Sequence, residues 1–124
     1  HALWPVAVEQ GKIAGANMAG SEIEYPEETS RNILTIFGRI IFTGGISTED
    51  KFEVYKEHFA GEYRKILIHN NKLVGFVFTG EVDSPGVYFF IMKNKIDVSE
   101  NINLLLKGAL SYPIIYPSIR NIVF

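Results

Sequence analysis

The chain has 124 residues, of which 47% are hydrophobic, 13% aromatic and 21% charged, the balance of a globular chain long enough for one core of its own. Twelve Lys and Arg against fourteen Asp and Glu leave a formal net charge of -2, which argues against a nucleic-acid module, because such a surface needs a basic stripe to neutralise phosphates. Cysteine is absent, so disulfides, thiolate metal sites and a redox-active cysteine pair are excluded within the chain.

No apolar run approaches the ~20 residues that span a bilayer, and no basic segment precedes an apolar one at the start. The expectation is a cytoplasmic protein with no membrane partner. The first residue is His1 and the first methionine is Met18, from which a piece of a longer protein is expected.

In residues 1–20, Ala7, Gly11, Gly15 and Ala19 recur four apart, which places them on one helical face. Pro5 suits the first turn and Gly20 the stop. Two interior glycines cost a helix roughly 1 kcal/mol each, a cost usually accepted where the backbone approaches another surface closely. No such surface is evident, so the helix reads as an orphan. Residues 21–32 are acidic and carry Pro26, as a solvated connector does.

From Ile33 the pattern becomes β-rich. Residues 33–45 read as a strand ending in Gly44–Gly45. Residues 51–61 read as another, with Phe52, Val54 and His58 spaced by twos. Tyr63–His69 and Leu73–Thr79 flank Asn70–Asn71, a pair that tolerates the positive φ of a tight hairpin turn. Gly75 inside the second strand suggests a bulge or a close contact. After Pro85, periodicity alone leaves strand and helix open; the proline at a first turn and Lys93 and Lys95 in the last favour a helix. Asp97 followed by Glu100 resembles a capping box for a short helix that Gly108 stops. Pro113 and Pro117 make the tail read as irregular or at a sheet edge. The fold class expected is α+β: a small antiparallel sheet with a hairpin over about 63–79 and two or three helices, preceded by one orphan helix.

The chemistry of the chain points away from catalysis. His58 and His69 stand in no two-ligand metal spacing, and the serines lack a GxSxG elbow. The Gly44–Gly45 pair belongs to no phosphate-binding loop. The aromatics, Phe42, Phe76, Phe78, Tyr88 and Phe89 among them, read as core. No catalytic and no metal-ligating residue is assigned.

One resemblance adds to this. Trp4, Ala7, Gln10, Gly11, Ala14, Gly15, Asn17, Met18 and Gly20 match, in order, a helix of the FAD-dependent pyridine nucleotide-disulfide oxidoreductases. The segment is most similar to the branch of NADH:rubredoxin oxidoreductases and NAD(P)H nitrite reductase flavoproteins. The remainder resembles that family's C-terminal domain, with Tyr25 in the connector, FGRIIFTGG in the first strand, YRKILIHNNKLVGFVFTGE in the hairpin and KNKIDV after the next helix.

The resemblance implies that residues 1–20 are the last helix of an FAD domain and residues 21–124 a C-terminal α+β domain. It implies a parent that passes electrons from NAD(P)H through FAD to a redox protein such as rubredoxin or to a nitrite-reductase-type acceptor. The helix N-terminus would point at the flavin, with the backbone of Leu3 or Trp4 as donor because Pro5 has no N–H. The family's FAD and NAD(P)H glycine motifs are not in this chain. Alone it is therefore expected to hold no cofactor and to be inactive, with the parent's FAD and NAD domains as partners and self-association through residues 1–20 as an alternative. The rival reading is a stand-alone interaction module without catalytic activity.

Overall fold

Three two-residue turns organise the sheet in the computed structural model, which describes residues 4–26 and 30–123. β1 (Arg31–Ile36) turns into β2 (Arg39–Gly45) through Phe37–Gly38, β3 (Glu53–Phe59) into β4 (Glu62–His69) through Ala60–Gly61, and β4 into β5 (Lys72–Thr79) through Asn70–Asn71. All six turn residues have positive φ, between 49° and 77°, the geometry whose twist matches that of paired strands. The hairpin expected at Asn70–Asn71 is present. The single strand expected over residues 33–45 is not: Gly38 sits in the left-handed region and folds the segment into the β1–β2 hairpin.

The five strands are antiparallel throughout, in the order β1-β2-β5-β4-β3. β2 and β3 are consecutive in the chain but lie at opposite sides of β5 and β4, so residues 46–52 must cross the sheet. Ile46 N–H donates to the Val74 carbonyl at 2.9 Å, and Lys65 Nζ donates to the Ser47 carbonyl at 3.2 Å. Glu49 is paired with Lys56 at 2.7 Å and Lys65 at 3.4 Å. The hydrogen bond from Lys56, aided by Lys65, holds the Glu49 carboxyl below its ordinary range. Leu67 is fully buried yet stands apart from the main core cluster, on the sheet face that this crossing covers.

Gly75 explains how the crossing fits. A Cβ there would run into the Ile46 carbonyl oxygen, and the register slips between Leu67 and Ile68. The close contact and the bulge expected of Gly75 are both present.

The other face carries the core. Phe42, Phe76 and Phe78 from the sheet meet Tyr88 and Phe89 of α2 (Pro85–Lys93), with ring centroids 4.7–6.4 Å apart. Ile66 and Ile68 of β4, Leu105 of α3 (Ile102–Leu106), and Ile115 and Ile119 of α4 (Tyr112–Val123) complete it. The Tyr88 hydroxyl donates to the Leu105 carbonyl at 3.2 Å and accepts from Leu110 N–H at 3.4 Å. Burial pushes its pKa up to about 12.

Two expectations for the C-terminal third are corrected. Asp97 does not cap α3; its carboxylate accepts from the Ser99 N–H and hydroxyl instead, and Asn101 holds the N-cap position. The tail is neither irregular nor at a sheet edge. It is helix α4, which tolerates Pro113 in its first turn and carries Pro117 inside. Burial of Ile115 and Ile119, one turn apart, outweighs the hydrogen bond that Pro117 removes.

α1 (Trp4–Met18) precedes this unit. It ends in a Schellman motif, with Ser21 N–H bonded to the Ala16 carbonyl, Gly20 N–H to the Asn17 carbonyl, and Gly20 at φ 97°. The α+β class expected from the sequence is the fold observed.

Candidate functional site

α1 presents an open surface. Ala7, Gly11, Gly15 and Ala19 are all exposed, and a Cβ added at Gly11 or Gly15 would meet nothing within 4 Å. Trp4 is 83% and Met18 90% exposed, whereas Val6 is 4% exposed. The small-residue stripe therefore lies open. At the far end of the helix, Asn17 bonds the connector on both sides of its amide: Nδ2 donates to the Ile23 carbonyl at 2.9 Å and Oδ1 accepts from Ile23 N–H at 2.8 Å. This fixes the direction in which the chain leaves α1.

Of the two residues expected to face a cofactor, Trp4 is the first residue of α1 and Leu3 lies outside the described residues. The first turn of α1 holds no acidic side chain, so its positive dipole end is not internally neutralised. That suits an electron-rich edge.

The two internal histidines are apart. His58 is exposed on β3 with its ring 4.9 Å from that of Tyr63. His69 ends β4, as the sequence suggested, 5.7 Å from the Phe52 ring and with Nε2 3.3 Å from Asn70 Nδ2. Among the described residues, no three His, Cys, Asp or Glu side chains converge as a metal set, and no helix is long and apolar enough to cross a membrane.

Sequence reasoning passed over Arg64. It is 7% exposed on β4, with its guanidinium carbon 5.2 Å from the Phe78 ring centre. Nη2 donates to Glu62 Oε2 and to the Glu81 carbonyl, each at 2.7 Å. Nη1 is buried with no partner among the described residues, and a hydrogen bond left unmade in such a place costs about 1–3 kcal/mol. Arg64 lines a pocket of about 440 Å³ together with Glu57, Phe59, Glu62 and Lys107. The one sign in the sequence was an arginine on the strand face that otherwise carries Ile66 and Ile68.

A five-stranded antiparallel sheet with helices on one face, preceded by an N-terminal helix, defines an α+β domain. The chain belongs to the rubredoxin NAD+ reductase C-terminal domain family, whose model matches residues 31–96, from β1 to just past α2. It is also similar to a nitrite reductase [NAD(P)H] of Bacillus subtilis (strain 168), with 27% identity over 108 residues. That likeness covers 83% of this chain and 13% of the relative, so the chain spans a small part of the relative's length.

Proposed function

We propose that this chain is the C-terminal part of an FAD-dependent NAD(P)H oxidoreductase, in which residues 21–124 form the C-terminal domain and residues 1–20 the last helix of the FAD domain. The observation that carries this reading is the open small-residue stripe of α1, which has no covering surface among the described residues. The family membership and the likeness to a much longer nitrite reductase support it.

In the parent, the stripe would press on the FAD domain. The start of α1 would lie at the flavin, where a first-turn N–H, from Leu3 or Trp4, stabilises negative charge on the reduced ring. FAD, when bound, supplies the electron transfer itself. The residues of this chain orient one flavin edge and shape the face toward the acceptor, a small redox protein or a nitrite-reductase-type centre. The chain by itself holds neither FAD nor NAD(P)H tightly. The rival, a stand-alone interaction module, calls for α1 packed on its own sheet, and the exposure of Trp4, Gly11, Gly15 and Met18 counts against it.

The test joins FAD and NAD domains to this chain in one polypeptide and measures flavin absorbance and NADH oxidation. The expected product is yellow and oxidises NADH. A folded product that purifies colourless and leaves NADH unoxidised overturns the reading.

A further inference from the structure

The sheet has two edge strands, β1 and β3, and they are guarded differently. β3 carries Glu53, Lys56, Glu57 and His58, and charges of this kind keep a foreign strand from pairing. β1 has one charge, Arg31 at its start, followed by Asn32, Ile33, Leu34, Thr35 and Ile36. The Ser30 carbonyl accepts from Gly45 N–H at 2.7 Å, and backbone groups alternate in direction along an antiparallel ladder. Residues 32, 34 and 36 therefore turn their N–H and C=O groups toward β2. Ile33 and Thr35 turn theirs outward, to an edge that pairs with no other strand among the described residues. The hairpin is also apolar on both faces. Ile33, opposite Phe42, and Ile40 lie on the helix side, Leu34 and Ile36 on the other, and Phe37 at the tip. All five are exposed, by 37% to 101%.

We propose that β1 pairs with β1 of a second copy of this chain across a two-fold axis at Leu34, joining two five-stranded sheets edge to edge. In this register Ile33 of each copy stands opposite Thr35 of the other, and the two exchange both backbone hydrogen bonds. The two Leu34 side chains meet in the closer, non-hydrogen-bonded pair. One symmetric register thus satisfies the outward groups of both copies, and opposed residues share a face. The two copies of Arg31 lie about 20 Å apart along the strands, beyond the Debye length of ~8 Å in physiological salt, so like charge does not oppose the pairing. The five apolar side chains expose on the order of 400 Å² on each copy. Twice that area is below the ~1,200 Å² at which stable interfaces begin, so the dimer is weak and the chain is a monomer in dilute solution. The pairing leaves the α1 stripe free and does not depend on the flavin reading.

The experiment measures the mass of the 124-residue chain by sedimentation equilibrium from about 10 μM to 1 mM, with backbone hydrogen exchange at both ends of that range. The mass is expected to rise from 14.0 kDa toward twice that value. The Ile33 and Thr35 amides should exchange severalfold more slowly at the high concentration, while Leu34, already bonded to β2, is unchanged. Thr35→Pro removes an outward N–H that β2 does not use, and Leu34→Lys puts a charge into the shared pair. Each should hold the chain at 14.0 kDa throughout, with its fold checked by circular dichroism. Met18→Lys, on α1, should associate as the unsubstituted chain does. A mass that stays at 14.0 kDa at the high concentration, or a folded Thr35→Pro or Leu34→Lys variant that still associates, overturns the proposal. Loss of association in Met18→Lys overturns it in favour of pairing through α1.

Discussion

Helices α1 and α2 are built alike at their ends. Each has proline in its first turn and no acidic residue there, and each closes in a Schellman turn on a residue of positive φ, Gly20 or Lys95. Between the ends they differ. α2, nine residues long, buries Val87, Tyr88, Ile91 and Met92. α1, fifteen residues long, buries Val6 alone among its described side chains. The end signals make a helix in both cases, but this chain covers a whole face of α2 and covers α1 fully only at Val6. A lone helix of this length with two glycines is marginal in water, so α1 is the part of the molecule whose stability depends most on its surroundings.

Changes in the packed region should be costly and global. Gly75→Ala forces a Cβ into the Ile46 carbonyl and is expected to cost about 3 kcal/mol, read as a lowered midpoint in urea; an unchanged midpoint would deny that the crossing segment seats on β5.

Tyr88→Phe leaves the Leu110 N–H without its hydroxyl acceptor and takes one of two donors from the Leu105 carbonyl, which keeps Gly108 N–H, and should cost about 1–2 kcal/mol. It also alters the alkaline limb. The tyrosine is neutral in the fold up to about pH 12 but ionises near pH 10 when unfolded. Its contribution is therefore complete below pH 10 and lost as pH rises toward 12, by about 2 kcal/mol. Unfolding curves of Tyr88→Phe should lack that decrement; parallel losses in both proteins would show that Tyr88 is not its source.

Substitutions in α1 should separate the two regions. Gly11→Ala with Gly15→Ala is expected to add about 1 kcal/mol of helix propensity per site, raising far-UV helicity while leaving the urea midpoint in place. In the longer polypeptide the same pair should weaken flavin retention, because the added methyls stand on the face proposed to meet the FAD domain. A lowered midpoint in the 124-residue chain would instead mean that the stripe packs on its own sheet. The smallest effect belongs to Phe37→Ser at the β1–β2 tip. Phe37 is 101% exposed, and its loss should change stability by no more than about 0.5 kcal/mol.

The sequence was clearest where one local rule decides the outcome. Asn70–Asn71 between two alternating runs marks a hairpin, Gly20 and Gly108 stop helices, and Gly75 marks a close approach. It misled where a strong rule was overridden. Phe37 is a poor residue for a left-handed turn position, so Gly38 alone had to signal the hairpin inside a continuous apolar run. Pro113 and Pro117 suggest an irregular tail, yet the four-residue spacing of Ile115 and Ile119 was the sign that a helix could repay them through burial. Arg64 was illegible for a different reason: beyond Glu62 on its own strand, it is held by the Phe78 ring of β5 and the Glu81 carbonyl after it, and no local pattern unites these with Arg64. Trp4 was named from resemblance, and neither composition nor period could have singled it out.

The crossing of residues 46–52 also sets an order of events. β2 lies beside β5, the last strand in the chain, so as the polypeptide leaves the ribosome the β1–β2 hairpin waits without its inner neighbour until residue 79 has been made. The β3–β4 and β4–β5 hairpins close over short distances and can form the template onto which the earlier hairpin docks. During synthesis, the strands that come first are the last to find their place.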